Sequence, residues 1–268
     1  MVRIFYTLLL TLLLASCSQY QKALKSEDTK LKYDVAEKMY EKEKYAKAIR
    51  LFEMIAPSYR GKPQAEKLFY MYATSLYKNK EYYTAGYQYE SFVSSYPKSN
   101  KVEEAAFLGA KSYYYLSPRY SLDQVDTYKA LEKLQAFIDR YPNSTYMPEA
   151  NQLVGELSRK LEKKAFEIAK QYFDTAAYFG DYNAAFKTLE NFLIDFPGTE
   201  LKEEALFIKF DASVKLALNS VESKMKQRLE DARKAYDELI KYRADSKYKA
   251  EADKLLQSVD SELQKISK

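Results

Sequence analysis

Few residues in this 268-residue chain could do chemistry. Cys17 is the only cysteine and there is no histidine, which removes disulfides, Cys-His and Ser-His-Asp nucleophile pairs, and histidine metal sites. No GxxxxGK[ST] or GxGxxG loop is present to cradle phosphate. Adjacent carboxylates occur at Glu103-Glu104 and Glu203-Glu204, but neighbours on a helix point about 100° apart and do not converge on one proton. They are expected to lie on solvated helix faces. No convergent acid, base or nucleophile set remains, so the expectation is a protein that is not an enzyme and needs no cofactor or metal. What chemistry there is collects at Cys17.

Cys17 follows one arginine, Arg3, an uncharged run from Ile4 to Leu14 and then small residues, the layout of an export signal. As a helix that run reaches only about 16 Å, roughly half of a bilayer's hydrocarbon thickness. Leu14-Ala15-Ser16-Cys17 resembles the lipobox of bacterial lipoproteins, in which the cysteine is acylated and becomes the new amino terminus. The resemblance implies a signal peptide over 1–16, a lipidated linker over 17–29, and a folded domain over 30–268. Two or more acyl chains hold a protein on a bilayer where one does so only marginally. Ser18 and the uncharged or basic residues after it, with no Asp, imply sorting to the outer membrane with the body in the periplasm.

The body is helical by composition. Six Gly and seven Pro are too few for a turn-rich β sandwich, while 47% hydrophobic and 30% charged residues fit neither disorder nor a polytopic membrane protein. Without Arg3, 42 basic residues face 38 acidic ones, interspersed as in KLEKK, so no basic stripe exists to track a nucleic acid.

A repeat organises the chain. Three copies carry Ala, an aromatic or Leu four on, Phe seven on, an aromatic-Pro pair and then Glu-Ala: Ala85, Tyr89, Phe92, Tyr96-Pro97, Glu104-Ala105; Ala130, Leu134, Phe137, Tyr141-Pro142, Glu149-Ala150; and Ala185, Leu189, Phe192, Phe196-Pro197, Glu204-Ala205. Altered copies stand at Ala48 and Ala232, as end units of a solenoid often do. The i, i+4, i+7 positions form one helical stripe, and Pro disfavours helix in the residue before it. Ser99, Asn143 or Ser144, and Thr199 are expected to cap the helices that follow, with Glu103, Glu149 and Glu203 near their positive ends.

Together with Ala-x-Ser-x-Tyr at Ala73 to Tyr77 and at Ala110 to Tyr114, this order resembles the tetratricopeptide repeat. The Ala-to-Ala spacings of 37, 45, 55 and 47 exceed the usual 34 or so. The excess predicts a loop over Ser117 to Asp126 and a long helix from about Pro148 to Phe179. The expected fold is all-α, an α-α superhelix of about five tetratricopeptide-like hairpins and about ten helices, with that long helix bridging the third and fourth. Its inner surface, lined by the first helix of each pair, would carry Tyr33, Tyr40, Tyr70, Tyr77, Phe107 and Tyr114. Twenty-seven Tyr and no Trp suit a groove partly apolar and partly wet.

Lipobox, repeat number, insert and segments such as FIDRYPNSTYMPEA and FLIDFPGTE together resemble the BamD family of the outer-membrane β-barrel assembly machinery. The resemblance implies a scaffold on the inner leaflet of the outer membrane that binds the periplasmic domains of BamA, the other lipoproteins of the complex, and unfolded outer-membrane protein precursors. It implies recognition of an aromatic-ended C-terminal substrate signal by the N-terminal units, which points to the Tyr33, Tyr40, Tyr70 and Tyr77 surface. It implies BamA contact around Tyr182 to Ile194 and Val221 to Leu239. Two other readings fit a repeat lipoprotein: a glycan- or nutrient-binding protein, although the Trp that usually stacks sugars is missing, and an adaptor in envelope synthesis or division.

Overall fold

The computed structural model describes residues 19–266, so Cys17 and the signal over 1–16 lie outside the described residues. The described residues are helical throughout, with no strand. The chain divides into two compact units, 1–157 and 158–268. Unit one holds helical residues 19–25 (α1), then α2 (Thr29–Glu41), α3 (Tyr45–Tyr59), α4 (Ala65–Lys78), α5 (Tyr82–Ser95), α6 (Val102–Leu116), α7 (Val125–Arg140) and the start of α8 (Met147–Phe179). Unit two holds the rest of α8, α9 (Asn183–Asp195), α10 (Lys202–Leu218), α11 (Glu222–Tyr242) and α12 (Lys249–Ile266). Each helix packs on the next as sequential hairpins, the tetratricopeptide-like arrangement, and in unit one the first helices α2, α4 and α6 also lie side by side.

The repeat frame is the core. Ala48, Ala85, Ala130, Ala185 and Ala232 are wholly buried, as are Ala105, Ala150, Ala205 and Ala252, while Phe92, Phe137 and Phe192 keep at most 3% of their surface. The aromatic before each Pro ends its helix in nearly one geometry: Tyr96, Tyr141 and Phe196 share φ near −127° and ψ of 57° to 66°. In each, the terminal N–H bonds the carbonyl of the Phe four back, and the two rings lie 5.2 to 5.4 Å apart. Pro therefore selects a non-helical residue whose ring packs against that of the Phe.

The helix-start hydroxyls do something other than the capping expected of them. The Oγ atoms of Ser99 and Ser144 and the Oγ1 of Thr199 each accept from the N–H two residues on, which closes a turn before the helix. Each also donates to a carboxylate on the preceding first helix: Ser99 to Glu66 at 2.6 Å, Ser144 to Glu103 at 2.5 Å, and Thr199 to Glu162. Ser246 repeats the device with Glu203 at 2.8 Å. A charge-assisted bond thus fixes the register between successive hairpins. That Thr199 reaches Glu162, and not Glu149, shows α8 serving twice. Its first turns present Ala150, Leu153 and Leu157 to Phe107 and Phe137, and its later turns present Phe166 and Ala169 to Leu189 and Phe192. At 33 residues it is about 50 Å long.

Three further expectations need correction. Glu203 is not on a solvated face: it is 8% exposed and holds Arg243, Ser246 and the Lys247 N–H. The stretch expected as a linker over 17–29 contains helical residues 19–25, with Tyr20 and Ala23 in the unit-one core. Twelve helices are present among the described residues where about ten were expected, because α1 and α12 add to the five hairpins.

Glycines let α5 cross α6 closely. A Cβ at Gly109 would stand 3.1 Å from the Tyr89 Cβ, and one at Gly86 would stand 2.9 Å from the Tyr113 ring. We predict that Gly109→Leu lowers the urea-unfolding stability by about 1–3 kcal/mol. Gly109→Ala should stay near neutral, because the helix gains about 1 kcal/mol on losing glycine. Equal stability of the leucine variant would contradict the close crossing.

Glu203 predicts the acid limb. The Ser246 hydroxyl first, then the Lys247 N–H and the Arg243 charge, hold its carboxyl below the usual range. A carboxyl depressed in the folded state contributes stability above its unfolded pKa, about 4.3, and loses it as pH falls through the lower folded value. Thermal midpoints measured between neutrality and pH 3 should therefore drop for the native chain, and Glu203→Gln should start lower and drop less.

Candidate functional site

The first helices of unit one build a groove. Tyr33, Glu37 and Tyr40 recur on one face of α2 at spacings of four and three, and Lys67 and Tyr70 do so on α4. Side by side, α2, α4 and the start of α6 enclose about 640 Å³ lined by Tyr40, Tyr70, Met71, Phe92, Lys101 and Glu104, with Glu37, Glu41, Glu66 and Lys67 at its edge. Met71 and Phe92 are buried and form an apolar floor, while Tyr40 and Tyr70 are partly buried. The Tyr70 ring lies 5.6 Å from Phe92 and 6.5 Å from Tyr89, and the Lys101 ammonium sits 5.4 Å above it. Tyr40 packs edge-on to Tyr45 at 6.0 Å.

Most charges of the groove are answered in place. Glu37 pairs with Lys67, Glu104 with Lys101 at 2.9 Å, and Glu66 accepts from Ser99. Burial, and then the Glu104 carboxylate, push the Tyr70 phenol well up. Burial raises Tyr40 too, with the Thr74 hydroxyl working the other way. Both rings are therefore neutral donors at any physiological pH. The arrangement can grip an apolar or aromatic side chain between rings; it has no proton-transfer pair.

The six expected inner-surface residues divide into three groups. Tyr40 and Tyr70 share the groove. Tyr77 and Tyr114 belong to a ladder of rings running from it: Tyr70 and Tyr77 both contact Tyr89, Tyr77 reaches Tyr115 at 6.0 Å, and Tyr115 meets Tyr114 at 5.4 Å. The Tyr114 hydroxyl donates to Glu156 at 2.6 Å, which with burial lifts its pKa to about 12. Tyr33 and Phe107 are core. Tyr33 stacks on Tyr59 at 5.3 Å, and Phe107, 1% exposed, is sandwiched between Tyr146 at 4.7 Å and Phe137 at 5.4 Å. A ring so placed presents no face to a partner.

Sequence reasoning missed the paired charges of the groove, although Lys101 and Glu104 stand three apart on one helix face. It also missed how the apolar residues of the two C-terminal stretches divide between core and surface. Tyr182, Leu229 and Leu239 are core, whereas Ile194 and Val221 are 69% and 65% exposed. Ile194 lines a second groove, of about 560 Å³, between α9, α10 and α11, with Leu206, Lys209, Lys241 and Tyr242. The carboxylate pairs do not converge: Glu103 takes Ser144, Glu104 takes Lys101, and Glu204 takes Lys170. Among the described residues no cluster is placed to hold a metal ion, and no helix is long and apolar enough to cross a membrane.

No curated protein matches the chain. Twenty chains of solved structures do. One is from yeast Sti1, in a structure described as its TPR2AB domain with pHSP90, 12% identical over 87% of this chain and 98% of that one, with a TM-score of 0.41. So loose a likeness carries no weight beside the hairpins themselves. The family described as YfiO, outer membrane lipoprotein, matches residues 25–229, from the end of α1 into α11. The chain belongs to that family, the BamD family of non-enzymatic outer membrane lipoproteins, whose role lies in the β-barrel assembly complex.

Proposed function

We propose that this chain, anchored through acylated Cys17 and carrying a tetratricopeptide-repeat domain over about 30–268, receives unfolded outer-membrane protein precursors on unit one and holds the periplasmic domains of BamA on unit two. The observation that carries the reading is the groove in which Tyr40 and Tyr70 flank an apolar floor. A precursor's C-terminal aromatic side chain fits between such rings, where aromatic contacts each contribute about 0.5–1.5 kcal/mol beyond burial. Because each lysine there has a carboxylate partner, recognition falls to the rings and depends little on salt. On unit two, exposed Ile194 and the half-open Tyr242, 43% exposed, offer apolar anchors among lysines. Aromatic and aliphatic anchors in a pocket with a charged rim are what a stable protein interface needs. The other lipoproteins of the complex are partners on the same reading.

Two tests follow from this. A fluorescent peptide with the C-terminal strand sequence of a barrel protein should bind in the micromolar range or tighter. Tyr40→Ala with Tyr70→Phe, a pair that keeps the Phe92 contact filled, should weaken it roughly tenfold, a loss of about 1.4 kcal/mol. Unchanged affinity, or a peptide ending in Ala binding as well as one ending in Phe, would exclude the groove. Cys17→Ala should leave the helical circular dichroism intact and move the protein from the membrane to the soluble fraction. Retention in the membrane by the variant, with no acyl label on the native chain, would count against the anchor.

A further inference from the structure

Helical residues 19–25 are fastened to unit one. Tyr20 and Ala23 are buried in its core, the Lys47 ammonium lies 5.1 Å over the Tyr20 ring, and Lys38 Nζ donates to Gln19 Oε1 at 3.1 Å. Cys17 precedes Tyr20 by three residues, so the chain between them can span at most about 10 Å. Lys38 is in the last turn of α2 and Lys47 in the first turns of α3, so the N-terminus leaves unit one beside the α2–α3 turn.

The other first-to-second-helix connections lie at that same end. Tyr40 meets Tyr45 across the α2–α3 turn, Tyr77 meets Tyr82 at 5.8 Å across the α4–α5 turn, and Tyr82 stacks at 4.5 Å on Tyr115 in the last turn of α6. Between α6 and α7 runs the inserted loop, and it is ordered from within. Gln124, 4% exposed, donates through Nε2 to the carbonyls of Arg119 and Leu122 at 2.9 Å and accepts from Thr127 at 2.7 Å. Held in this way, the loop turns Leu122 and Val125 outward, 48% and 68% exposed.

Exposed apolar side chains in unit one are not spread evenly. Tyr83, Tyr87, Tyr115, Leu122, Val125 and Tyr128 all stand in this loop or within two turns of this end, Met54 being the exception, while the connections at the opposite end expose no large apolar side chain. Lys42, Lys44, Lys78, Lys80, Arg119 and Lys129 stand among Glu43, Glu81, Asp123 and Asp126, so the two signs are interspersed at this end. Tyrosine rings beside apolar tips are the composition of a bilayer's interfacial zone.

From this we infer that the α6–α7 loop is a second membrane contact: Leu122 and Val125 enter the boundary between headgroups and acyl chains of the bilayer that holds Cys17, with Tyr83 and Tyr128 at headgroup level. The inference rests on the lipid-anchor reading. With helices about 8–10 Å apart, the loop stands roughly 20 Å from the α2–α3 turn beside which the described chain begins, far enough for two points to fix the tilt that one tether leaves free. Its grip is apolar, and salt leaves it unchanged.

The test uses the acylated full chain in vesicles of phosphatidylethanolamine and phosphatidylglycerol. Acylation consumes the Cys17 thiol, so an environment-sensitive fluorophore can be placed at Val125→Cys and, in a companion, at exposed Lys98→Cys in the α5–α6 turn of the opposite end. The Val125 probe should shift to the blue on reconstitution and be quenched by nitroxide-labelled lipid, with and without high salt, and the Lys98 probe should do neither. If protein that floats with the vesicles and carries acyl mass on its N-terminal peptide leaves the Val125 probe in water, or shields it only when BamA is added, the second contact is wrong and the anchor stands. If no acyl mass is found and nothing floats, anchor and second contact fall together.

Discussion

A helical hairpin with apolar side chains on both faces cannot bury them alone, and everything else in this protein follows from how its hairpins share that burden. At each junction a buried alanine lets the next helix come close, and the ring or leucine four residues on fills the space beside it. The pattern holds from Ala48 to Ala252, across both units, and even the altered end copies obey it. Between α5 and α6 glycine takes that role, and Gly86 and Gly109 let the two helices touch through Tyr89 and Tyr113. Apolar contact of this kind supplies most of the stabilisation but is tolerant of small slides along a helix.

Register comes from the hydroxyl-to-carboxylate bonds. A serine or threonine in the turn between hairpins closes that turn with one lone pair and donates a hydrogen bond to the carboxylate of the previous first helix, so the turn and the junction are set by one side chain. Buried or half-buried, such a bond is stronger than its solvated equivalent and is sensitive to geometry. The same device explains how α8 can take part in both units: the carboxylate that Thr199 needs, Glu162, lies about fifteen residues into it.

Tyrosine does three different tasks here, separated by depth. Tyr33, Tyr89 and Tyr113 are core; Tyr40 and Tyr70 form the walls of a groove whose floor is apolar; Tyr83 and Tyr128 project at the end of unit one from which the N-terminus departs. An outer membrane lipoprotein with a role in the β-barrel assembly complex needs rigid surfaces on which other chains can dock. Rings already packed against one another, as in the ladder from Tyr70 to Tyr114, lose little conformational freedom when a partner arrives.

Sequence alone determined the all-α class, the hairpin period, a long helix from about 148 to 179 and the want of any histidine chemistry, because each is written in local spacing or usage: alanine to aromatic, aromatic to proline, and a residue type never used. The altered end copies were legible for the same reason. Only tertiary structure decided which tyrosines are surface, since Tyr33 and Tyr40 stand on the same face of α2 and differ in what α3 and α4 bring against them. It alone turned expected caps at Ser99, Ser144 and Thr199 into junction bonds, and buried Glu203 beneath Arg243 and Ser246, because their partners lie 33 to 43 residues away. Contacts over such separations depend on how helices stack, and no periodicity in the chain records them.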